Sequence, residues 1–177
     1  MEKYKEKTVL VCSDTHGRTE KLGQVLKSMK FDALVFLGDG EGLENCVSCI
    51  PGCPAELYFV KGNNDYGCGL KESAVAEFGR HRIFLTHGHR YRIYHGSGLL
   101  YEAAQEQYCD YCFFGHLHRP LLYETDGVTF LNPGSLEEPR QHPQVPTCAV
   151  LRAGADGDLS IEFINALSMK RLNFLNF

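Results

Sequence analysis

Thr8-Val9-Leu10-Val11-Cys12-Ser13-Asp14-Thr15-His16 decides how this chain is read. The run from Thr8 to Ser13 predicts a strand buried on both faces, since a half-buried strand would alternate polar with apolar residues. It then breaks into an aspartate and a histidine two positions apart. Alternation along the backbone points Asp14 and His16 the same way, so one loop can offer both to one ion. The arrangement recurs downstream. Ala33–Leu37 runs into Gly38-Asp39, and Glu56–Val60 into Gly62-Asn63-Asn64-Asp65. Arg82–Thr86 runs into His87-Gly88-His89, and Tyr111–Phe114 into Gly115-His116-Leu117-His118. A lone histidine on a loop is ordinarily a solvated residue. Five groups of oxygen and nitrogen donors, each at the end of an apolar strand and beside a turn-permitting glycine, predict one convergent site.

Working outward, Leu22, Val25, Leu26 and Met29 recur at helical spacing. A weaker helical segment spans about Leu43–Ile50 and stops at Pro51-Gly52. Leu99, Leu100, Ala103, Ala104 and Tyr108 mark another amphipathic helix. After His118 the pattern changes. Leu121–Glu124 and Val128–Leu131 flank Asp126-Gly127, a strong hairpin signal. Thr147–Arg152 and Leu159–Ile164 flank a second turn at Ala155-Asp156-Gly157-Asp158. Parallel-type units that give way to antiparallel hairpins predict two packed sheets covered by helices. No repeat, low-complexity tract or linker interrupts the chain, and residues 1–177 read as one domain. Pro139-Arg140-Gln141-His142-Pro143 reads as a rigid surface loop.

A content of 44% hydrophobic and 23% charged residues is that of an ordinary soluble protein. No apolar stretch approaches the roughly 20 residues of a membrane span. The charged start Met1-Glu2-Lys3-Tyr4-Lys5-Glu6-Lys7 lacks the apolar region of a secretory signal, so a cytoplasmic location is expected. The net charge of −4 argues against bulk electrostatic capture of nucleic acid. A phosphorylated small substrate stays open, because bound divalent cations reverse the local sign of a site rich in aspartate. The eight cysteines read as free thiols. Cys46-x-x-Cys49 and Cys109-x-x-Cys112 have the spacing of zinc half-sites, but Cys12 and Cys112 lie in apolar runs where thiols behave as core hydrophobes. The tail Leu172-Asn173-Phe174-Leu175-Asn176-Phe177 either seals a homo-oligomer interface or packs back on its own domain.

Aspartate, histidine and asparagine donors without cysteine suit Mn²⁺, Fe²⁺, Zn²⁺ or Ni²⁺ better than an all-oxygen calcium site. The order D-x-H, G-D, G-N-x-D, G-H and G-H-x-H, followed by Asn132-Pro133-Gly134-Ser135 and Pro139-Arg140, resembles the calcineurin-like metallophosphoesterases. Within them it is similar to the small, cap-less bacterial and archaeal phosphodiesterases. The likeness runs from Thr8 to Ile164. It implies a four-layer αββα sandwich of two mixed β-sheets flanked by helices, with two divalent metal ions at one edge. Mn²⁺ is the first candidate. Asp14, His16, Asp39 and His118 are assigned to one ion by the resemblance. Asp39 as the bridge, Asn63, His87 and His116 are assigned to the other.

The implied reaction is hydrolysis of a small phosphodiester by a hydroxide held between the ions. Asp65 is expected to orient its neighbours, and His89 to face either substrate or solvent. Asn132 and Ser135 are expected to hold the loop near the site. Histidines must be neutral to coordinate, so activity should fall at acid pH. Many larger relatives carry histidine after the motif asparagine. Here Asn64 stands instead, which donates a hydrogen bond but is no general acid near pH 7. Aryl esters are therefore expected to be better substrates than alkyl esters, unless His89 or His95 substitutes. The competing function comes from another class. A eukaryotic retromer subunit shares the implied fold and serves as a scaffold, so fold alone does not establish catalysis. The complete donor set favours an enzyme, because clustering these groups without ions costs stability.

Overall fold

The computed structural model describes residues 4–172; residues 1–3 and 173–177, and with them most of the apolar tail, lie outside it. In chain order the first strands and helices are β1 (Lys7–Cys12), α1 (Glu20–Ser28), β2 (Ala33–Phe36), α2 (Leu43–Cys46), β3 (Glu56–Phe59), β4 (Ser73–Phe78) and β5 (His81–Thr86). There follow α3 (Gly98–Glu106), β6 (Tyr111–Phe114), β7 (Pro120–Thr125), β8 (Val128–Pro133), β9 (Thr147–Ala153) and β10 (Leu159–Asn165). One sheet has the order β10-β9-β1-β2-β3 and the other β4-β5-β6-β8-β7. Both are mixed. β1, β2 and β3 run parallel, as do β5, β6 and β8, while the remaining pairs are antiparallel.

The apolar run of β1 is continuous because each of its faces meets a different core. Val9 and Val11 point between the sheets, where they meet Val35, Leu85, Phe113 and Leu131. Leu10 and Cys12 point outward to Leu22, Val25 and Leu26 of α1. On the far side Phe84, Cys112, Phe114 and Phe130 pack under Leu100 and Ala104 of α3. Three apolar cores separate four layers: helix, sheet, sheet, helix. The cysteines of the two CxxC pairs lie in opposite outer layers. Cys109 and Cys112 are buried beneath α3, whereas Cys46 and Cys49 are exposed beside α2.

Two elements depart from the sequence expectation. The helix expected over Leu43–Ile50 is one α-turn that tightens to a 3₁₀ turn at Val47–Cys49. Strand β4 has no counterpart in the expected elements. It forms the edge of its sheet and is mostly half-buried, so its apolar signal is weak. Its partner β5 follows after only Gly79-Arg80, and Gly79 has φ +59°. A Cβ there would lie 2.2 Å from the Gly157 carbonyl oxygen, so this turn requires glycine. The Asp126-Gly127 hairpin has positive φ at both turn residues, as a type I′ turn needs. Among the described residues no helix is long and apolar enough to cross a membrane.

Candidate metal centre

The loops after β1, β2 and β3 of one sheet meet those after β5 and β6 of the other. Asp14, His16, Asp39, His116 and His118 all adopt left-handed backbone, with φ of 58°, 46°, 56°, 68° and 56°. A non-glycine residue in this region carries strain of roughly 1 kcal/mol, and it persists only where the surroundings hold it. Here the surroundings are hydrogen bonds. The Asp14 N–H donates to the Gly38 carbonyl at 3.0 Å and the His16 N–H to that of Asp39 at 3.0 Å. Ser135 Oγ donates to the Asp14 carbonyl at 2.9 Å and accepts from the N–H groups of Glu137 and Glu138. Asn132 Nδ2 donates to the Gly115 carbonyl at 2.6 Å. Asn132 and Ser135 thus brace the loops on either side of the donors.

Asp65 is the strongest brace. Its buried carboxylate accepts four backbone N–H groups, from Asp39 (2.9 Å) and Gly62 (2.7 Å) on Oδ2 and from Gly40 (2.9 Å) and Glu41 (2.7 Å) on Oδ1. The loops of β2 and β3 are thereby locked together. The approach is so close that a Cβ on Gly62 would sit 2.1 Å from Asp39 Oδ1.

Two donor groups converge, Asp14 with His16 and His118, and Asp14 with Asp39 and His87. In each, the ligand atoms lie within 4.8 Å of one another. Asp14 is common to both groups, and Asp39, the bridge that the resemblance implies, belongs to the second. His87 is fully buried and its Nδ1–H donates to the Leu37 carbonyl at 2.6 Å. That bond leaves Nε2 aimed at Asn63 Oδ1 (3.2 Å), Asp39 Oδ2 (3.5 Å) and Asp14 Oδ1 (4.0 Å). His118 repeats the device. Its Nδ1–H donates to the Glu138 carbonyl at 2.8 Å, and Nε2 lies 3.1 Å from Asp14 Oδ1. With that ring nitrogen unprotonated, Asp14 Oδ1 and His16 Nε2 are buried without a hydrogen bond among the described residues. Lone pairs facing oxygens across a buried gap repel unless a positive charge lies between them. The donors fit a divalent cation.

The electrostatics agree. Burial alone would lower the His87 pKa, but the Asp39 hydrogen bond and the charges of Asp14 and Asp39 raise it. The gap therefore favours positive charge at Nε2, as a proton or as a metal ion. Burial opposes ionisation of Asp39 too, yet His87 and Asn64 hold its carboxyl well below the usual range. Asn64 donates its N–H to Asp39 Oδ1 at 2.8 Å and its amide to Oδ2 at 2.7 Å. The side chain that stands where a leaving-group acid would be expected is thus committed to Asp39.

His116 stands beside the second group, its ring centroid 5.0 Å from that of His87, and its ring nitrogens belong to neither converging set. Burial and the charge of His87 push its pKa down to about 4, which keeps the ring neutral. His89 is further out, its ring 5.4 Å from that of His87 and its Nε2 3.7 Å from Glu72 Oε2. Three neighbours escaped the sequence reading. Glu41 accepts from His16 Nδ1 at 2.9 Å, Glu72 faces His89, and Tyr94 packs on His116. Glu41 had a signal, since it lies two residues past Asp39 in the same glycine-rich loop.

A two-sheet sandwich that gathers aspartate, asparagine and histidine at strand ends from both layers defines a metal-dependent phosphoesterase architecture. The chain belongs to the calcineurin-like phosphoesterase superfamily, whose domain profile matches residues 8–156. Membership supports metal-dependent phosphoester hydrolysis in general terms. The chain is 31% identical over 160 residues to a protein of Mycoplasma pneumoniae named probable metallophosphoesterase, covering 88% of this chain and 96% of that one. A conserved Streptococcus pneumoniae protein described as a predicted phosphoesterase has a crystal structure that matches with a TM-score of 0.78 at 30% identity. That match covers 97% of this chain and 95% of the other. Vps29 of Entamoeba histolytica, crystallised as a complex with Zn²⁺, shares the fold with a TM-score of 0.75 at 24% identity, covering 93% and 96%.

Proposed function

We propose that this chain is a phosphodiesterase that hydrolyses small phosphodiesters with two divalent cations, manganese first among the candidates, in the cytoplasm. The observation that carries the reading is the pair of converging donor groups, with His16 Nε2 buried and without a hydrogen bond among the described residues. Asp14, His16, Asp39 and His118 would hold one cation. Asp39, Asn63, His87 and His116 would hold the other. Bound cations would supply Lewis acidity and activate water near neutral pH. The chain itself contributes alignment and tautomer control. Leu37 and Glu138 fix which ring nitrogens of His87 and His118 face the site. Asp65 sets the Asp39 loop, and Asn64 holds the Asp39 carboxylate in place.

Because Asn64 is tied to Asp39 and is no acid, leaving-group protonation has no evident donor there. Loss of a general acid costs about 10²–10⁴-fold for groups that need a proton to depart. Aryl phosphodiesters are thus expected to exceed alkyl ones by at least about 10²-fold in kcat/KM. A series of esters with graded leaving-group pKa measures this, and a flat series would refute it.

The deciding assay compares bis(p-nitrophenyl) phosphate with p-nitrophenyl phosphate after chelator stripping and re-addition of Mn²⁺, Ni²⁺, Zn²⁺ or Mg²⁺. The same assay is run on His87→Ala and His116→Ala. Diesterase activity restored by metal and lost in His87→Ala is expected. A second reading, an interaction scaffold, draws support from the fold shared with Vps29. If no ion restores turnover to folded protein, that reading replaces the first.

A further inference from the structure

Tyr94 stands at the mouth of the centre with its ring centroid 5.2 Å from that of His116, and it is 62% exposed. Single exposed aromatics are ordinary, but this one is held at its tip. Its hydroxyl donates to the His116 carbonyl at 3.4 Å and accepts from Arg140 Nη1 at 3.0 Å. Arg140 is anchored in turn. Its N–H donates to the His118 carbonyl at 2.9 Å, and its own carbonyl accepts from Arg119 Nε at 3.2 Å. The loop carrying His116 and His118 is therefore straddled by one fixed ring and one guanidinium.

Charge points to the same place. Of the nine arginines, Arg18, Arg80, Arg82, Arg90, Arg152 and Arg171 pair with carboxylates. Among the described residues the three that do not are Arg92, Arg119 and Arg140. Arg140 bonds to Tyr94, Arg119 follows His118, and Arg92 lies two residues before Tyr94. On a chain of net charge −4, Arg140 thus sets at this rim a guanidinium that, among the described residues, has no carboxylate partner. Such a rim attracts an anion, and a fixed aromatic face beside it suits a flat ring attached to that anion.

We infer that Tyr94 and Arg140 form the substrate-reading side of the centre, selecting phosphodiesters in which one ester arm carries an aromatic base, as a nucleoside does. Tyr94 stacks on the base. Arg140 acts as a positioning residue that orients the ring and adds charge for the phosphate. The inference rests on the phosphodiesterase reading and narrows its substrate class.

The test compares thymidine 5′-(p-nitrophenyl phosphate) with methyl p-nitrophenyl phosphate, which share a leaving group and differ in the other arm. The metal-reconstituted enzyme should prefer the thymidine ester by about tenfold in kcat/KM, expressed chiefly in KM. Tyr94→Leu should bring the ratio of the two substrates close to one, and Tyr94→Phe should retain most of it because the ring remains. Arg140→Gln should weaken both substrates. Equal turnover by the unmodified enzyme, or a ratio that survives Tyr94→Leu, would overturn the inference. Calorimetric binding of thymidine 5′-monophosphate to unmodified and Tyr94→Leu protein supplies a readout without turnover. If neither ester is cleaved with any metal, the phosphodiesterase reading falls, while weaker binding by Tyr94→Leu still upholds recognition of the ring, and equal binding removes it.

Discussion

Asp39→Asn is expected to lose at least about 10²-fold in metal-restored diesterase activity, on the scale of removing one partner from a buried charge cluster. The substitution changes almost no volume, so the fold should survive. What changes is the match of donors to acceptors. Both oxygens of Asp39 accept from Asn64, through its N–H and its amide. An asparagine at this position must turn one NH₂ against one of those donors or against the His87 ring. It also removes an anion that a cation between His87 and Asp14 would need. Metal content by mass spectrometry and kcat on bis(p-nitrophenyl) phosphate should fall together. A variant with normal metal content and normal turnover would show that Asp39 is not part of the centre.

Asp65→Ala should be the most damaging change to stability among the site residues. Four N–H groups lose their acceptor at once, three of them in buried hydrogen bonds. At about 1 kcal/mol for each buried unsatisfied donor, the cost is about 3 kcal/mol, a large part of the roughly 5–15 kcal/mol that stabilises an ordinary domain. Asp65→Asn should lie between, since it keeps one acceptor oxygen and puts a donor against the remaining N–H groups. Urea unfolding midpoints of the three proteins order the effect. A midpoint for Asp65→Ala equal to that of the parent would mean that the β2 and β3 loops are held by something else.

The fold is legible where a strand is buried on both faces. β1, β2 and β6 declare themselves because an unbroken apolar run is tolerated only where neighbouring layers cover it on both sides. β4 does not, because on this edge strand only Ala76 and Phe78 are buried and the other four residues are partly or fully exposed. The order β4-β5-β6-β8-β7 is illegible on different grounds. Placing β8 beside β6 with β7 outside depends on pairing across a crossover, which local pattern does not encode. At the site, the donors stand out because few residue types can bind an ion. Their supports do not. Ser135 reaches the Asp14 carbonyl across 121 positions, and His87 is set by the backbone oxygen of Leu37. A carbonyl has no signature in the sequence, so neither contact could be read there.

The left-handed backbone at Asp14, His16, Asp39, His116 and His118 has a consequence for how this domain can change. At each of these positions glycine would relax the chain, and at each glycine would offer no donor. Of the ten described non-glycine residues with positive φ, five are thus donors at the centre. Selection for heat resistance alone would erode the centre before it touched the core, leaving a sturdier protein with nothing to do.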